Sequence, residues 1–420
     1  MIRFALLFLA LTACGRGNAR SVRDSSAIAP RRDSVPRTGA TPPPSRPAAG
    51  TPPLGSEKFV LAEAPVVRGL YVNRFAAQSA NKMRRLIALA DSTEINAFVI
   101  DIKDEFGLNY TSGDSMVKRN AGRAGTIPNL PALLDTLKAH QIVAIARIVT
   151  FKDSVAARMN PAHIIRQPNG EAWRDHKGIS WVNPFDAHIR EYDIRVAEEA
   201  ARLGFAEIQF DYIRFPEPFQ SLPKQIFPGA TTESKPQALQ DFLRQACGRL
   251  HRLDARCTAD IFGLVTTVPG ALEIGQQWEH LAPVTDVLLP MVYPSHYPHG
   301  SFGLPRPNAE PYLVVDSAIS KAHKRDMKLG LAQPEHVRPW LQAFTLGAPR
   351  YGPRELEEQK RGVYAAGYDG WVLWHPGSNY DAVQAGLEKT LVSRKKPWAP
   401  PTVPAALPPT RGNARDSIPR

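Results

Sequence analysis

The chain has 420 residues, and its 52 Lys and Arg against 40 Asp and Glu give a formal net charge of +12. Residues 1–56 contribute +6 of this charge from eight Arg and two Asp, and residues 394–420 contribute +5 from six basic residues and one Asp, which leaves +1 for residues 57–393. The basic character therefore belongs to the two ends, and the central part gives no indication of a nucleic-acid partner.

The first fourteen residues have the pattern of an export signal. Arg3 gives a positive start, the apolar run from Ala5 to Ala10 is too short to span a bilayer, and Leu11-Thr12-Ala13-Cys14 follows it. The pattern resembles a bacterial lipoprotein signal, which implies that Cys14 carries a lipid and anchors the mature protein to a membrane of the cell envelope. An ordinary secretory signal that contains a cysteine is the alternative.

Residues 15–56 and 394–420 share a composition rich in Pro, Ser, Ala, Arg and Gly, with few large apolar side chains. Such segments bury too little apolar surface to offset the entropy that folding costs. We therefore predict a disordered tether at residues 15–56, a disordered basic tail at residues 394–420, and one folded domain at residues 66–391.

Strand-like and helix-like segments alternate eight times within this domain. The predicted strands are Val66 to Val72, Ala97 to Ile102, Gln141 to Val149, Phe205 to Pro216, Thr258 to Leu264, Val287 to Tyr293, Lys328 to Ala332 and Trp371 to Trp374. The predicted helices are Asn81 to Ala90, Leu130 to His140, Ala187 to Leu203, Pro236 to Leu253, Gln276 to Leu281, Pro311 to Arg325, Pro353 to Ala366 and Asp381 to Leu391. This α/β order predicts a single (β/α)8 barrel of the TIM type. No GxGxxG turn follows the first strand, which disfavours a dinucleotide-binding sheet.

Two cysteines, Cys247 and Cys257, lie inside the predicted barrel. Neither belongs to a CxxC motif or to a Cys/His cluster, so structural zinc is not predicted. In an oxidising envelope the two can form a disulfide, and two separate buried thiols are the alternative.

Polar residues gather at the carboxyl ends of the predicted strands, where barrels of this type carry their chemistry. On the fourth strand Gln209 and Asp211 share one face, and Tyr212 and Arg214 follow before Pro216 stops the pairing. Buried polar groups need partners, so this strand end predicts a site. A structural Asp that caps the next turn is the alternative. Further polar or aromatic residues at the other strand ends are Asn73, Arg74, Asp101, Lys103, Asp104, Glu105, Arg147, Lys152, Asp260, Tyr293, His296, Gln333, Glu335, Trp374 and His375.

Carboxylates beside aromatic rings are what glycoside hydrolysis requires, because one carboxylic acid protonates the leaving oxygen while a second carboxylate attacks carbon or activates water. Rings that can stack on sugars are Tyr71, Trp181, Tyr212, Tyr293, Tyr297, Trp340 and Trp374. No cofactor and no metal is predicted, since His296 and His299 lie in a Pro-rich loop and no His-x-His follows the first strand.

Six segments carry a resemblance to a known family. They are Val67-Arg68-Gly69-Leu70-Tyr71-Val72, Val99-Ile100-Asp101-Ile102-Lys103-Asp104, Gln209-Phe210-Asp211-Tyr212-Ile213-Arg214-Phe215-Pro216, Ala259-Asp260-Ile261-Phe262-Gly263, Pro290-Met291-Val292-Tyr293-Pro294 and Val337-Arg338-Pro339-Trp340-Leu341-Gln342. Together they resemble the bacterial glycoside hydrolase-like domain family that was first catalogued as a domain of unknown function, over roughly residues 66–390.

The resemblance implies that Asp211 is the nucleophile or base and that Asp260 is the acid. Arg147 is expected to keep Asp211 ionised by charge proximity. Asp101 and Lys103 are expected to form a salt-bridged pair that holds sugar hydroxyls, with a purely structural ion pair as the alternative. Glu335, at the end of the predicted seventh strand, is the alternative catalytic carboxyl.

The remaining substrate-binding residues predicted at this face are Tyr212, Arg214, Tyr293 and Trp374. The predicted partner is a polysaccharide or oligosaccharide of the envelope or the environment. A non-catalytic envelope lipoprotein that binds glycan through a degenerate barrel site is the alternative function.

Overall fold

The computed structural model describes residues 66–230 and 234–395. The predicted signal with Cys14, the tether and most of the basic tail lie outside the described residues. Of the predicted tail, Arg394 and Lys395 are described, and their backbone N–H groups donate to Asp369 at 3.0 and 3.2 Å. These two residues therefore belong to the described fold.

Eight parallel strands form a closed barrel in which each pairs with its neighbours along the chain and the last pairs with the first. The strands are β1 Arg68–Val72, β2 Ala97–Asp104, β3 Val143–Val149, β4 Glu207–Asp211, β5 Arg256–Phe262, β6 Val287–Met291, β7 Trp340–Gln342 and β8 Trp371–Trp374. A two-residue strand, Gly107–Leu108, pairs antiparallel with the end of β2. The predicted (β/α)8 architecture is confirmed.

The helices surround the barrel. They are α1 Arg74–Gln78, α2 Ala80–Asp91, α3 Ser115–Arg119, α4 Leu130–Ala139, α5 Ser154–Met159, α6 Ala187–Leu203, α7 Lys235–His251, α8 Trp278–Leu281, α9 Pro311–Leu329 and α10 Pro353–Ala365. Within residues 66–230 and 234–395, no helix combines the length and apolar character that crossing a bilayer requires.

Two predicted elements are wrong. The segment Lys328 to Ala332 is not the seventh strand, because α9 continues to Leu329 and ends at Gly330, whose left-handed backbone closes the helix. The segment Asp381 to Leu391 is not a helix and contains only a short 3-10 turn at Gln384–Gly386. A Cβ at Gly386 would lie 2.6 Å from the carbonyl oxygen of Pro353, so this turn packs closely against the start of α10.

Apolar side chains fill two layers. On β2, Val99 points into the barrel, while Phe98 and Ile100 pack outward against the helices, as the two-residue period of a strand requires. Each large apolar side chain that is fully buried stabilises the fold by about 1.5–3 kcal/mol. Most of the core lies between strands and helices, which leaves the barrel interior free to carry polar groups.

A buried ion pair lies at the amino-terminal end of the barrel, on the side opposite the strand ends that carry the predicted site. Glu207 of β4 accepts from Arg338 Nη1 at 2.7 Å and from the hydroxyl of Thr258 at 3.1 Å.

A disulfide joins Cys247 of α7 to Cys257 of β5. The structure thus selects the disulfide from the two alternatives that the sequence left open.

Two helical glycines provide a matched test of the packing of α10 on α9. A Cβ at Gly362 would lie 2.9 Å from both the Tyr312 carbonyl oxygen and Val315 Cβ, whereas a Cβ at Gly248 in α7 meets nothing within 4 Å. Gly362→Ala is expected to lower the free energy of unfolding by about 1–3 kcal/mol through overpacking. Gly248→Ala is expected to raise it by about 0.5–1 kcal/mol through helix propensity. Urea denaturation measures both, and equal stability of the two variants would contradict the close helix contact.

Candidate active site

Arg147 lies at the centre of the carboxyl ends of the barrel strands. Its Nε donates to Asp211 Oδ2 at 3.0 Å, its Nη2 donates to the same oxygen, and its Nη1 donates to Asp101 Oδ1 at 2.5 Å. Neighbouring strands bring the three together, since Asp101 pairs in register with Arg147, and Val149 two residues on pairs with Asp211. All three side chains are buried, so the charges compensate one another away from bulk water.

Two aromatic rings wall one side of this ion-paired group. The Tyr71 hydroxyl donates to Asp101 Oδ2 at 2.6 Å, and its ring stacks on Trp374 with centroids 4.0 Å apart. The Arg147 guanidinium lies 5.3 Å from the Tyr71 ring centroid and 5.5 Å from that of Trp374. Burial, and then the charge of Asp101, raise the pKa of Tyr71 well above its usual range. Tyr71 therefore remains a hydrogen-bond donor to Asp101.

Asp260 of β5 lies deeper in the barrel. Its Oδ1 accepts from Gln209 Nε2 at 2.8 Å and from Trp340 Nε1 at 2.6 Å, while its Oδ2 is buried and has no hydrogen-bond partner. Burial first, and then the negative charge of Asp211, raise the pKa of Asp260 well above that of an ordinary carboxyl. A proton on Oδ2 removes the charge that this setting disfavours.

Arg147 also sets an upper limit on the separation of the two proposed catalytic carboxyls. Its Nε lies 3.0 Å from Asp211 Oδ2 and 4.0 Å from Asp260 Oδ2, which together place these oxygens within about 7 Å of each other. Carboxyl pairs in glycosidases are separated by about 5–5.5 Å or about 6.5–9.5 Å, depending on the stereochemical outcome. The spacing is thus compatible with two-carboxylate chemistry.

The chain turns sharply after Asp211. Tyr212 has a φ of 50°, which is uncommon for a residue with a side chain, and its N–H donates to Asp211 Oδ1 at 2.5 Å. Such backbone outliers cluster at functional sites, where the surrounding structure enforces them. The half-buried Tyr212 ring lies close to two cations, with Lys152 Nζ 4.8 Å and the Arg214 guanidinium 5.0 Å from its centroid.

Most predicted substrate-binding residues surround this centre. Arg214 is buried, pairs with Glu217 at 3.0 Å and faces the Trp181 ring at 5.0 Å. Tyr293 is buried near both Asp211 and Asp260. Burial and then the charges of Asp260 and Asp211 raise the pKa of Tyr293 well above its usual range.

The predicted role of Lys103 is wrong. A register shift between Asp101 and Lys103 turns the second side chain away from the first. Lys103 Nζ instead bonds to Asp193 at 2.8 Å, to Asp153 at 2.9 Å and to the Val149 carbonyl oxygen at 2.6 Å. Lys103 therefore fixes the ends of β2 and β3 against α6, and Asp101 pairs with Arg147.

The predicted position of Glu335 is also wrong. Since β7 begins at Trp340, Glu335 precedes the strand and lies toward the amino-terminal end of the barrel, where Arg338 pairs with Glu207. Burial raises the pKa of Glu335, and the nearby charge of Arg338 opposes this rise. Glu335 therefore cannot pair with Asp211, which lies at the opposite end.

Sequence reasoning missed the hydrogen bonds that Tyr71 and Trp340 make to carboxyls. The sequence pattern identifies both only as rings available for stacking. The signal for Tyr71 was its position on the inward face of β1, next to β2 and Asp101. For Trp340 there was no usable signal while the seventh strand was misplaced.

Among residues 66–230 and 234–395, no group of three or more His, Cys, Asp or Glu side chains is arranged to hold a metal.

A (β/α)8 barrel whose carboxyl end carries an arginine-linked set of carboxyls and aromatic rings has the architecture of a carbohydrate-cleaving enzyme. Residues 69–380 match the family described as "Putative glycosyl hydrolase domain", and the chain belongs to that family. A comparison with curated proteins finds no match.

One solved structure shares the fold, and two others show a weaker similarity to this chain. The glycoside hydrolase domain of PgaB (BpsB) from Bordetella bronchiseptica is 13% identical, with a TM-score of 0.54 over 77% of this chain and 99% of that one. A hypothetical protein from Ruminiclostridium thermocellum is 33% identical over 46% of this chain and 96% of that one, with a TM-score of 0.42. The α-galactosidase TtGalA from Thermus thermophilus, in complex with stachyose, is 14% identical over 77% of this chain and 64% of that one, with a TM-score of 0.47.

The raised pKa of Asp260 predicts a pH-dependent loss of stability. Because the folded-state pKa exceeds the unfolded value of about 3.9, the folded protein binds more protons above that pH, and the contribution of Asp260 falls as pH rises. The unfolding free energy of Asp260→Asn relative to that of wild type should therefore increase as the pH rises from about 4 to about 8.

Urea denaturation at several pH values measures this difference. Asp135→Asn, in the exposed surface of α4, is the matched control for the substitution itself. A difference between Asp260→Asn and wild type that stays constant across the range would contradict the assignment of the proton to Asp260.

Proposed function

We propose that the protein hydrolyses a glycosidic bond of an envelope or environmental polysaccharide, with Asp211 as nucleophile or base and Asp260 as acid. The observation that carries the proposal is the contrast between two neighbouring carboxyls. Asp211 accepts hydrogen bonds from Arg147, whereas Asp260 Oδ2 has no hydrogen-bond partner and the pKa of Asp260 is raised. A carboxyl that is ion-paired with an arginine, beside a carboxyl whose pKa is raised, is the arrangement that base and acid roles require.

In this mechanism Asp211 acts as the carboxylate. Arg147 compensates its negative charge, and the Tyr212 N–H holds Oδ1, so the orientation of the carboxylate is fixed before substrate binds. Asp211 attacks the anomeric carbon or takes a proton from water. The geometry is compatible with either route, and the proposal assigns no anomeric outcome.

Asp260 supplies the proton to the departing oxygen. Gln209 and Trp340 hold its Oδ1, which leaves Oδ2 to carry the transferable proton. Because Asp260 is only 1% exposed and Asp211 is 7% exposed, the sugar must enter the barrel mouth past Asp211 to receive this proton directly. The half-buried Trp374, which stacks on Tyr71, supplies a ring face for the sugar in this proposal.

Asparagine variants test these roles in a screen of envelope and plant polysaccharides with reducing-end detection. Asp211→Asn is expected to lower kcat by several orders of magnitude, since a neutral amide neither attacks carbon nor activates water. Asp260→Asn is expected to impair natural substrates more than aryl glycosides, whose leaving groups depart without protonation.

Glu335→Gln is the matched control, because it neutralises a carboxyl at the opposite end of the barrel and should leave kcat unchanged. Full activity in both asparagine variants would refute the assignment. Polysaccharide binding by wild type without any cleavage would instead identify a non-catalytic glycan-binding protein.

We also propose that the protein is exported and anchored through lipid on Cys14. The apolar run before Leu11-Thr12-Ala13-Cys14 supports this, and so does the disulfide between Cys247 and Cys257, because disulfides persist in oxidising compartments. Mass spectrometry of the mature amino terminus is expected to find a lipidated Cys14, and Cys14→Ser should release the protein or leave it unprocessed. An unmodified terminus beyond Cys14 would refute the anchor.

A further inference from the structure

Two phenylalanine rings stand exposed at the carboxyl end of the barrel, outside the site described above. Phe75 is 64% exposed and Phe106 is 49% exposed, and their ring centroids lie 6.1 Å apart. Phe75 belongs to α1, which follows β1, and Phe106 follows β2, so both lie on the same face as Asp211. A pair of large apolar side chains held in water marks an interaction surface.

The backbone beneath this pair is firmly fixed. Arg74 is buried, forms an ion pair with Asp104, and donates to the carbonyl oxygens of Leu108 at 2.8 Å and Gly125 at 3.1 Å. Its guanidinium lies 5.8 Å from the centroid of the Phe106 ring. These bonds tie the loop after β1 to the loop after β2, so the two rings keep their mutual position without packing into a core.

The turn that carries Phe106 has no room for a side chain at two glycine positions. Gly107 has a φ of 105°, and a Cβ there would lie 2.3 Å from the Ala121 carbonyl oxygen. A Cβ at Gly122 would lie 2.5 Å from the carbonyl oxygen of Phe106. The two backbone segments therefore meet without side chains between them, and the Phe106 ring projects from this close contact into solvent.

The ring pair adjoins the catalytic mouth through Glu105. This residue is exposed and directly precedes Phe106. Burial is the main cause that raises the pKa of Asp101 and of Tyr71, and the negative charge of Glu105 adds a smaller rise to both. A ligand chain that leaves the mouth on this side meets a carboxylate and then two apolar ring faces. A pyranose ring offers hydroxyls to the first and C–H faces to the second.

We propose that Phe75 and Phe106 form a remote subsite that binds a further sugar unit of a polysaccharide chain while another part of the chain occupies the mouth. This rests on the proposed function of the barrel and adds that the substrate is a polymer or long oligosaccharide. Phe side chains have no polar group, so they contribute apolar contact, and Glu105 accepts hydroxyl donors beside them.

Binding is measured on the mature full-length chain carrying Asp211→Asn, with soluble xylan, galactomannan, glycol chitin and carboxymethyl cellulose as polymer probes and the matching disaccharides as short probes. Adding Phe75→Ala and Phe106→Ala together is expected to weaken binding of the bound polymer about tenfold or more and to leave disaccharide binding unchanged. Leu313→Ala, which removes an exposed apolar side chain from α9, is the matched control and should change neither.

Equal polymer affinity with and without the two rings would overturn the subsite, and so would failure of the parent to bind any of the four polymers. Cleavage of a short oligosaccharide by wild type would still support the hydrolase in either case. If polymer binding depends on the two rings and the protein cleaves none of the substrates, the subsite is supported and the hydrolytic function is refuted. Self-association that the double substitution abolishes, with unchanged polymer affinity, would overturn the subsite by assigning the rings to a second copy of the chain.

Discussion

Three buried carboxyl groups, those of Asp101, Asp211 and Asp260, surround the guanidinium of Arg147 in the barrel mouth. One positive charge in a poorly solvated place cannot balance three negative ones, because the cost of an uncompensated buried charge is large. Arg147 contacts Asp101 and Asp211 directly, while Asp260 is held by neutral donors from Gln209 and Trp340. A proton on Asp260 reduces the negative charges around Arg147 from three to two, and the proposed acid role of Asp260 requires that proton.

The inward face of β4 runs from Glu207 at one end of the barrel through Gln209 to Asp211 at the other, and all three side chains are polar and buried. Each needs a partner from another strand: Arg338 for Glu207, Asp260 for Gln209 and Arg147 for Asp211. This arrangement specifies the relative register of several strands, since a shift of one residue would leave buried charges unpaired. The apolar layer between strands and helices supplies the hydrophobic burial that a polar barrel interior does not provide.

The eight-fold alternation and the polar face of β4 could be predicted because both depend on local sequence periodicity. The contact between Arg147 and Asp211 followed from placing two strand ends side by side. The ion pair predicted between Asp101 and Lys103 is wrong for a different reason. A register shift between the two residues changes the side-chain alternation, and the residue types do not indicate such a shift. The seventh strand was misplaced because β7 has only three residues, whereas the end of α9 reads as an apolar segment near a glycine. When a strand is misplaced in this way, a carboxyl such as Glu335 is assigned to the wrong end of the barrel.

The left-handed backbone at Tyr212 has a consequence for how this position is expected to vary among related chains. Glycine adopts such a conformation without steric penalty, so selection for folding alone would favour Gly at this place. A tyrosine there retains strain and presents its ring to Lys152 and Arg214. A tyrosine that is kept at this position in related chains would therefore be kept for its ring and not for the turn. Relatives with Gly here would keep the same turn and lose the ring that faces the two cations.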